Sequence, residues 1–561
     1  MPTVARTIAD TLKAYDTQHF FCVTGGDQAL WIALDDVGIT IVPCRSEHAA
    51  AYAADAYARV TGRPAFVYGQ YGPGVASVAS GLADAYWAMS PVISLTSSTR
   101  TSSRYRFEYQ EIDQLPMHHP VTKWNAAVPR PDRAAELVRA AIRNAVSSPP
   151  GPVHLELPAD VLRAEVDAPE IYAESQFARV PGLRAAPDPA LLGPAAELLL
   201  GAQRPVILAG NGVLLAEAWD ELADLAELAS LPVATSMGGK GGIAESHDLA
   251  VGVVGRYSRK VANEVVAEAD VVLAVGCRLG GLSTDSWRSP APGAKIIHLD
   301  ADPAVLGSTY REDVSILTDA RLGLAGLAAE LRGRGPARPR TGWAGQVRDR
   351  VKAWREEAAN AAASSKPGAL HPAAVIAELR EVLGPDDILV ADTGYMGAWT
   401  GALFPVAEPG RRYLRAAGSL GWAFPAAIGA SLAAPGRKVA CVSGDGGIGY
   451  HLMEMETALR CGAQVLVVVL NNQSLAFEYH DQRYLFGNRI VPQVNDFLDV
   501  SYADVALAAG AAGARVREPG DLGPALRKAM EADRPALLDV LVDKEVHAPV
   551  SVFEKAVPRL V

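Results

Sequence analysis

Residues 438–447 read KVACVSGDGG and residues 465–472 read VLVVVLNN. Each opens as a short, valine-rich apolar run and stops abruptly at polar turn residues, the pattern of a strand buried on both faces. Between them, HLMEMETALRCG (451–462) has helical spacing, so the segment predicts one strand–helix–strand unit. The crossover between parallel strands is right-handed, which sets the C-terminal ends of both strands on one edge of the sheet. Ligands of open α/β sheets bind at that edge. Asp445 ends one strand and Asn472 ends the other, 27 residues later, and the two are expected to converge.

A carboxylate oxygen and a carboxamide oxygen are hard ligands suited to Mg²⁺, which also takes phosphate oxygens and water. The glycines around the acid, Gly444, Gly446 and Gly447, would let backbone N–H groups approach a phosphate at a helix start. Taken alone, GDGG also reads as a tight turn and NN as a polar loop. Their pairing at this spacing, between two strands, favours the metal reading.

The same alternation of short apolar runs and helical segments extends outward over most of the 561 residues, predicting parallel α/β architecture. Two stretches interrupt it, a Pro-rich one near 166–190 and RGRGPARPRTG at 332–342. Cutting there gives blocks 1–165, 186–331 and 365–546 with a tail 547–561, each block of ordinary domain size. Strands are expected at FFCV (20–23), TIVPC (40–44), PVILA (205–209), VVLAV (271–275), IIHLD (296–300) and ILVA (388–391). The net charge of −11 argues against a nucleic-acid partner, which needs clustered Lys and Arg. Five scattered cysteines without a CxxC pair fit free thiols, and no apolar run is long enough for a membrane span or a signal peptide, so a cytoplasmic location is expected.

In the first block, Glu47 stands in RSEHAA (45–50) at a strand-to-helix junction, a place where an acid also suits a helix N-terminus. The ordered set of Gly25-Gly26, SEHAAAYAADAYAR (46–59), Gly72-Pro73-Gly74 with GLADA (81–85), HLDADP (298–303), GSLG (418–421) with PAAIGA (425–430), and GDG with NN covers nearly the whole chain. It resembles the thiamine-diphosphate-dependent enzymes related to acetolactate synthase, pyruvate decarboxylase and benzoylformate decarboxylase. The resemblance implies three doubly wound parallel-sheet α/β domains: pyrimidine-binding, central Rossmann-like and diphosphate-binding. It implies thiamine diphosphate (thiamine pyrophosphate) and Mg²⁺ as cofactors, with Asp445 and Asn472 ligating the metal by side chain and Ser474 by its backbone carbonyl. The loop Asp392–Met396, through Gly394, Tyr395 and Met396, would lend backbone contacts to the diphosphate. Gly25, Gly26 and Pro73 would line the pyrimidine side. Glu47 would hydrogen-bond the aminopyrimidine ring and promote loss of the C2 proton. Leu420 would hold the cofactor bent, and Gly418 would offer its carbonyl to the pyrimidine amine.

By the same resemblance the chain is a transferase or lyase that makes or breaks a carbon–carbon bond beside the carbonyl of a 2-oxo acid or related donor, with the thiazolium as electron sink. Tyr109-Gln110-Glu111 and Thr122-Lys123 resemble segments of acetolactate synthases that face the reacting centre, so Gln110 joins Glu47 as a catalytic candidate. Phe477, Glu478 and Asp481 occupy positions where acetolactate synthases carry a methionine, a small apolar residue and a tryptophan, which points away from ordinary acetolactate synthesis. Glu478 falls where pyruvate decarboxylase-like enzymes place a proton-handling glutamate. His118-His119 is spaced wrongly for the histidine pair of those decarboxylases and reads as structural. Gly255–Ser258 and Cys277–Gly281 stand where acetolactate synthases carry flavin-binding segments, and the arginine survives there as Arg278 while the His, Gly and Asp positions do not, so FAD is possible but not favoured. The alternatives to a carboligase are a simple 2-oxo acid decarboxylase, a flavin-dependent oxidase, and a non-catalytic scaffold, the last disfavoured by Glu47, Asp445 and Asn472 occurring together. The family sets its cofactor between subunits, implying a homodimer or a homotetramer.

Overall fold

The computed structural model describes residues 1–335 and 341–553. Part of the Gly/Pro/Arg-rich stretch (336–340) and the end of the expected tail (554–561) lie outside the described residues. Three six-stranded sheets, in which every recorded strand pairing is parallel, are interleaved with helices. Parallel sheets of this kind are covered on both faces, which explains the continuous apolar runs at Val92–Ser98, Val271–Val275 and Val465–Asn471, all buried along their whole length.

The first sheet runs in the order Thr40–Pro43, His19–Cys22, Ala65–Gly69, Val92–Ser98, Val153–Pro158, Trp124–Ala127. The second runs Val314–Leu317, Lys295–Asp300, Val271–Val275, Pro205–Ala209, Val233–Thr235, Ala250–Val253, and the third runs Tyr413–Arg415, Ile388–Ala391, Val439–Gly444, Val465–Asn471, Ala536–Leu541, Ala512–Val516. Each sheet reverses its strand order partway, the doubly wound arrangement whose crevice takes ligands. The strands expected from the sequence all form, within a residue or so of their predicted limits.

The chain divides into two compact units: residues 1–183 with 416–439 and 451–465, and residues 184–415 with 440–450 and 466–561. In the first unit, the alanine-rich helix Glu47–Thr61 packs against the helix Ala423–Ala433. A methyl group added at Gly429 would lie 2.0 Å from the carbonyl oxygen of Ala53, so only a residue without a side chain allows these backbones to meet. The run of alanines at 49–51 and 53–54 serves the same close approach. A short helix that was not predicted, Asp445–His451, precedes the one expected over 451–462, which forms as Glu454–Arg460 within the first unit. Three glycines at 446, 447 and 449 weaken the first of these helices, and it ends after two turns. Among the described residues no helix is long and apolar enough to cross a membrane.

Candidate functional site

The strand Val439–Gly444 and its sheet neighbour Val465–Asn471 end on the same edge. Asp445 leaves the first strand end as the opening residue of a helix and is almost fully buried, 4% exposed. The two asparagines after the second strand part company. Asn471 turns into the sheet, where its Nδ2 donates to Asp539 Oδ1 at 2.9 Å, while Asn472 turns toward Asp445's side. The backbone N–H of Ser474 joins the two predicted ligands, donating to Asp445 Oδ2 at 3.0 Å and to Asn472 Oδ1 at 3.1 Å. Burial pushes the Asp445 carboxyl up to about 6, although backbone N–H groups of residues 446 and 472–474 oppose the shift. A buried carboxylate beside a carboxamide oxygen, with no cationic side chain bonded to it among the described residues, is a donor set that fits a small hard cation. The residues present therefore fit Mg²⁺.

The glycines next to Asp445 are also closely packed against protein atoms. A Cβ at Gly447 would lie 2.5 Å from Asp392 Oδ2, and one at Gly446 would lie 2.6 Å from Leu475. Both residues make room for protein atoms, and Gly447 lets the buried Asp392, which also accepts from Ser443 Oγ at 2.8 Å, sit against the turn. Asp392 ends the strand Ile388–Ala391 and leads to Gly394, whose φ of +64° turns the chain into the helix Tyr395–Leu403. The Tyr395 hydroxyl is buried and pairs with His480 Nδ1 at 2.6 Å. The Tyr395 side chain is thus committed to the core, and the start of this helix offers only backbone N–H groups, which suits a diphosphate. Met396 packs near Gly444. Farther along, Phe477 stacks edge-on with Tyr395 and Tyr257, while Glu478 is exposed on the helix Ala476–Leu485.

The other predicted residues lie in the first unit. Glu47 is the first residue of its helix, whose N-cap Ser46 accepts from Ala49 N–H. Its carboxylate is half-buried, and a Cβ at Gly74 would lie 3.0 Å from Glu47 Oε1. Gly72, at φ +80°, precedes the exposed Pro73 that opens the helix Pro73–Ala88. A Cβ at Gly72 would lie 2.7 Å from both the Cβ and the carbonyl oxygen of Gln110. Gln70, which sequence reasoning passed over, links these parts. Its Nε2 donates to Gln110 Oε1 at 3.2 Å, and its own Oε1 lies where a Cβ on Gly25 would come within 2.1 Å. Glu47, Gln70, Gln110, Gly25, Gly72 and Gly74 thus form one cluster, with the exposed Gly26 at its margin.

Asp84 is the second residue missed, although it stands in the quoted GLADA segment. It is 2% exposed, and its carboxylate accepts from the backbone N–H of Ala417 (2.7 Å), Gly418 (3.1 Å) and Ser419 (2.9 Å). Arg59 approaches it at 3.4 Å and pairs with the fully buried Asp55, which accepts from the Trp422 indole N–H. Buried carboxylates thereby hold the loop that carries Gly418 and the half-buried Leu420. Such an acid could have been suspected from its place on an otherwise apolar helix face. Its partner lies 334 residues away and could not.

Two expectations resolve elsewhere. His118 is buried and stacked on His154 at 3.8 Å, in a network with Thr96 and Gln114, away from Glu47's contacts. In the central sheet the two glycine turns fill one another, since a Cβ at Gly210 would lie 2.1 Å from the Gly276 carbonyl oxygen. Arg256 donates to Ser286 Oγ at 3.0 Å.

Residues 2–117 match the model of the thiamine pyrophosphate enzyme N-terminal TPP binding domain, 192–327 the central domain and 392–540 the C-terminal TPP binding domain. A probable acetolactate synthase large subunit of Methanocaldococcus jannaschii is 34% identical over 556 residues, covering 96% of this chain and 92% of that protein. A sulfoacetaldehyde acetyltransferase of Alcaligenes xylosoxydans is 32% identical over 585 residues, 98% and 94% of the two chains. The acetolactate synthase isozyme 3 large subunit of Escherichia coli K12 is 30% identical over 518 residues, 91% and 89%.

Proposed function

The chain belongs to the thiamine pyrophosphate enzyme family, in its acetolactate synthase-like group, and from that premise we propose that it joins the acyl fragment of a 2-oxo acid to an acceptor other than a second simple 2-oxo acid. It is a thiamine-diphosphate-dependent enzyme of the carboligase type. Bound thiamine diphosphate supplies a thiazolium carbon that adds to a carbonyl and an electron sink for the bond that breaks beside it. Asp445, Asn472 and the Ser474 carbonyl hold Mg²⁺, and the backbone of Gly394, Tyr395 and Met396 binds the diphosphate. Glu47 would hold a proton at the aminopyrimidine, Gly418 would accept from the pyrimidine amine, and Leu420 would pack against the bound cofactor. Gln110 hydrogen-bonds a substrate oxygen. Glu478, exposed on its helix, exchanges a proton with the product.

The observation that carries the reading is the Ser474 N–H bridging Asp445 and Asn472 at adjacent strand ends, which sets two hard ligands side by side. The choice of acceptor is supported by Phe477, Glu478 and Asp481, which replace the apolar lining of acetolactate synthases with acids and an aromatic ring already packed on Tyr395. The relative named as a sulfoacetaldehyde acetyltransferase supports an acceptor of this other kind. The test is to supply the holoenzyme with a panel of 2-oxo acids, with and without aldehyde and phosphate acceptors, reading CO₂ and products by mass spectrometry. Release of the bare aldehyde with every acceptor would assign a simple decarboxylase instead, and a yellow purified protein would reopen the flavin question.

The same reading sets domains at 1–165, 186–331 and 365–546 with a tail 547–561, a cytoplasmic location suited to the free cysteines, and a homodimer or homotetramer. Self-association is supported by Tyr105, Phe107 and Tyr109, which are 88%, 101% and 74% exposed on the segment that carries Gln110. Aromatic rings on one short loop are the composition of an interface core.

A further inference from the structure

We propose that Gln70 is a positioning residue that decides which end of the Gln110 carboxamide meets the substrate. This rests on the reading that Gln110 faces the reacting carbonyl.

A glutamine side chain offers one acceptor oxygen and two N–H donors, and it can present either end. Here the oxygen of Gln110 is taken, because Gln70 Nε2 donates to it at 3.2 Å. Among the described residues the Gln110 side chain has no other recorded hydrogen bond. Its two amide hydrogens are therefore the end left over. Donors at that place fit the carbonyl or carboxylate oxygen of a 2-oxo acid, where negative charge grows during addition.

The geometry around the pair leaves little freedom for an alternative. The Gln110 backbone sits in the left-handed region, φ +60°, against Gly72, where any side chain would strike it. Gln70 is wedged between Gly25, whose Cβ would lie 2.1 Å from its Oε1, and Gly74, whose Cβ would lie 3.6 Å from its own Cβ and 3.0 Å from Glu47 Oε1. Two glycines, Gly25 and Gly74, thus clear the volume that Gln70 and Glu47 occupy together, and Gly72 does the same for Gln110. Gln70 also leaves the strand Ala65–Gly69, so its backbone is set by the sheet and not by the mobile reach of a loop. A rigidly mounted amide that hydrogen-bonds a second amide is how a site fixes an orientation before substrate arrives.

The experiment compares wild type, Gln70→Met, Gln110→Met, the double variant and Gln70→Glu. Each is checked for thermal midpoint and for thiamine diphosphate affinity by titration of the apoprotein. Gln70→Met is expected to lower kcat about tenfold, the scale of one hydrogen bond, with cofactor affinity unchanged. The double variant is expected to be no worse than Gln110→Met, because Gln70 acts only through Gln110. Gln70→Glu keeps the shape but, once ionised, only accepts, so it turns the Gln110 amide around. Its kcat is expected to fall further near neutral pH and to recover as the pH drops toward the carboxyl range, a profile that a packing role would not produce. Multiplying losses in the double variant, a parallel loss of cofactor affinity, or a flat pH profile for Gln70→Glu would each overturn the proposal. A wild type inactive toward every 2-oxo acid removes the functional reading instead. In that case the Gln70–Gln110 link is decided by crystal structures of wild type and Gln70→Met: a displaced Gln110 amide supports it and an unmoved one refutes it.

Discussion

Replacing Asp84 by Asn is the sharpest perturbation available, because it alters one atom and disturbs three hydrogen bonds. The aspartate is buried, and both oxygens are used: Oδ1 by Ala417 N–H at 2.7 Å, Oδ2 by Gly418 and Ser419 N–H at 3.1 and 2.9 Å. An asparagine keeps one oxygen. Whichever way its amide turns, an NH₂ group faces at least one backbone N–H that has lost its acceptor. A hydrogen bond to a charged group contributes about 1.5–3 kcal/mol, and the Arg59 contact at 3.4 Å weakens as well. A total near 2–3 kcal/mol is expected, roughly 30- to 150-fold if all of it is felt by the ligand that the loop holds. Calorimetric titration of the apoprotein with thiamine diphosphate at fixed Mg²⁺ measures this directly, and Asp84→Ala, which removes both acceptor oxygens and all three hydrogen bonds, should weaken binding at least as much. An unchanged dissociation constant together with a lowered thermal midpoint would show that Asp84 stabilises the unit without serving the cofactor.

Glu47→Gln is expected to abolish exchange of the cofactor's C2 proton, followed by NMR in deuterium oxide, while Mg²⁺-dependent cofactor binding survives; wild-type exchange would remove Glu47 from the chemistry. Asn472→Ala should raise the Mg²⁺ concentration needed for half-maximal cofactor binding by about tenfold or more, the loss of one ligand, whereas Asn471→Ala should act mainly on stability, since its amide faces Asp539. Gly429→Val should cost about 3 kcal/mol or prevent folding, because its Cβ meets the Ala53 carbonyl at 2.0 Å; a thermal midpoint within a degree or two of wild type would refute the helix contact. Burial holds His118 down at about 4 and His154 well below its usual range. The unfolded chain therefore binds more protons between about pH 6.5 and 4, and stability falls as the pH drops through that window. Melting temperatures recorded across it should decline, and less steeply in His118→Leu; equal slopes would show that the pair does not carry the acid sensitivity.

The strands, their parallel pairing class and the polar turns after them were readable because each depends on residues adjacent in the chain. Valine-rich runs such as 465–470 are buried on both faces wherever they sit, and an Asp or Asn at a strand end stays at that end. The strand-end positions of Asp445 and Asn472 were legible for this reason. The helix read at 451–462 forms as Glu454–Arg460, whereas the short helix Asp445–His451 went unpredicted because its three glycines read as a turn. That Gly447 and Gly446 also clear space for Asp392 and Leu475 was not legible, because a glycine's neighbour across space has no signature along the chain.

Local order in the chain was thus enough to settle the three α/β layers, the acid–amide pair at two strand ends and the class of cofactor. Which carboxylate holds the Gly418 loop and which amide hydrogen-bonds Gln110 were settled only by folding. Those contacts join residues 334 and 40 positions apart. Hydrogen bonds act over about 3 Å, so such partners are selected by how the sheets and helices pack and not by sequence neighbourhood.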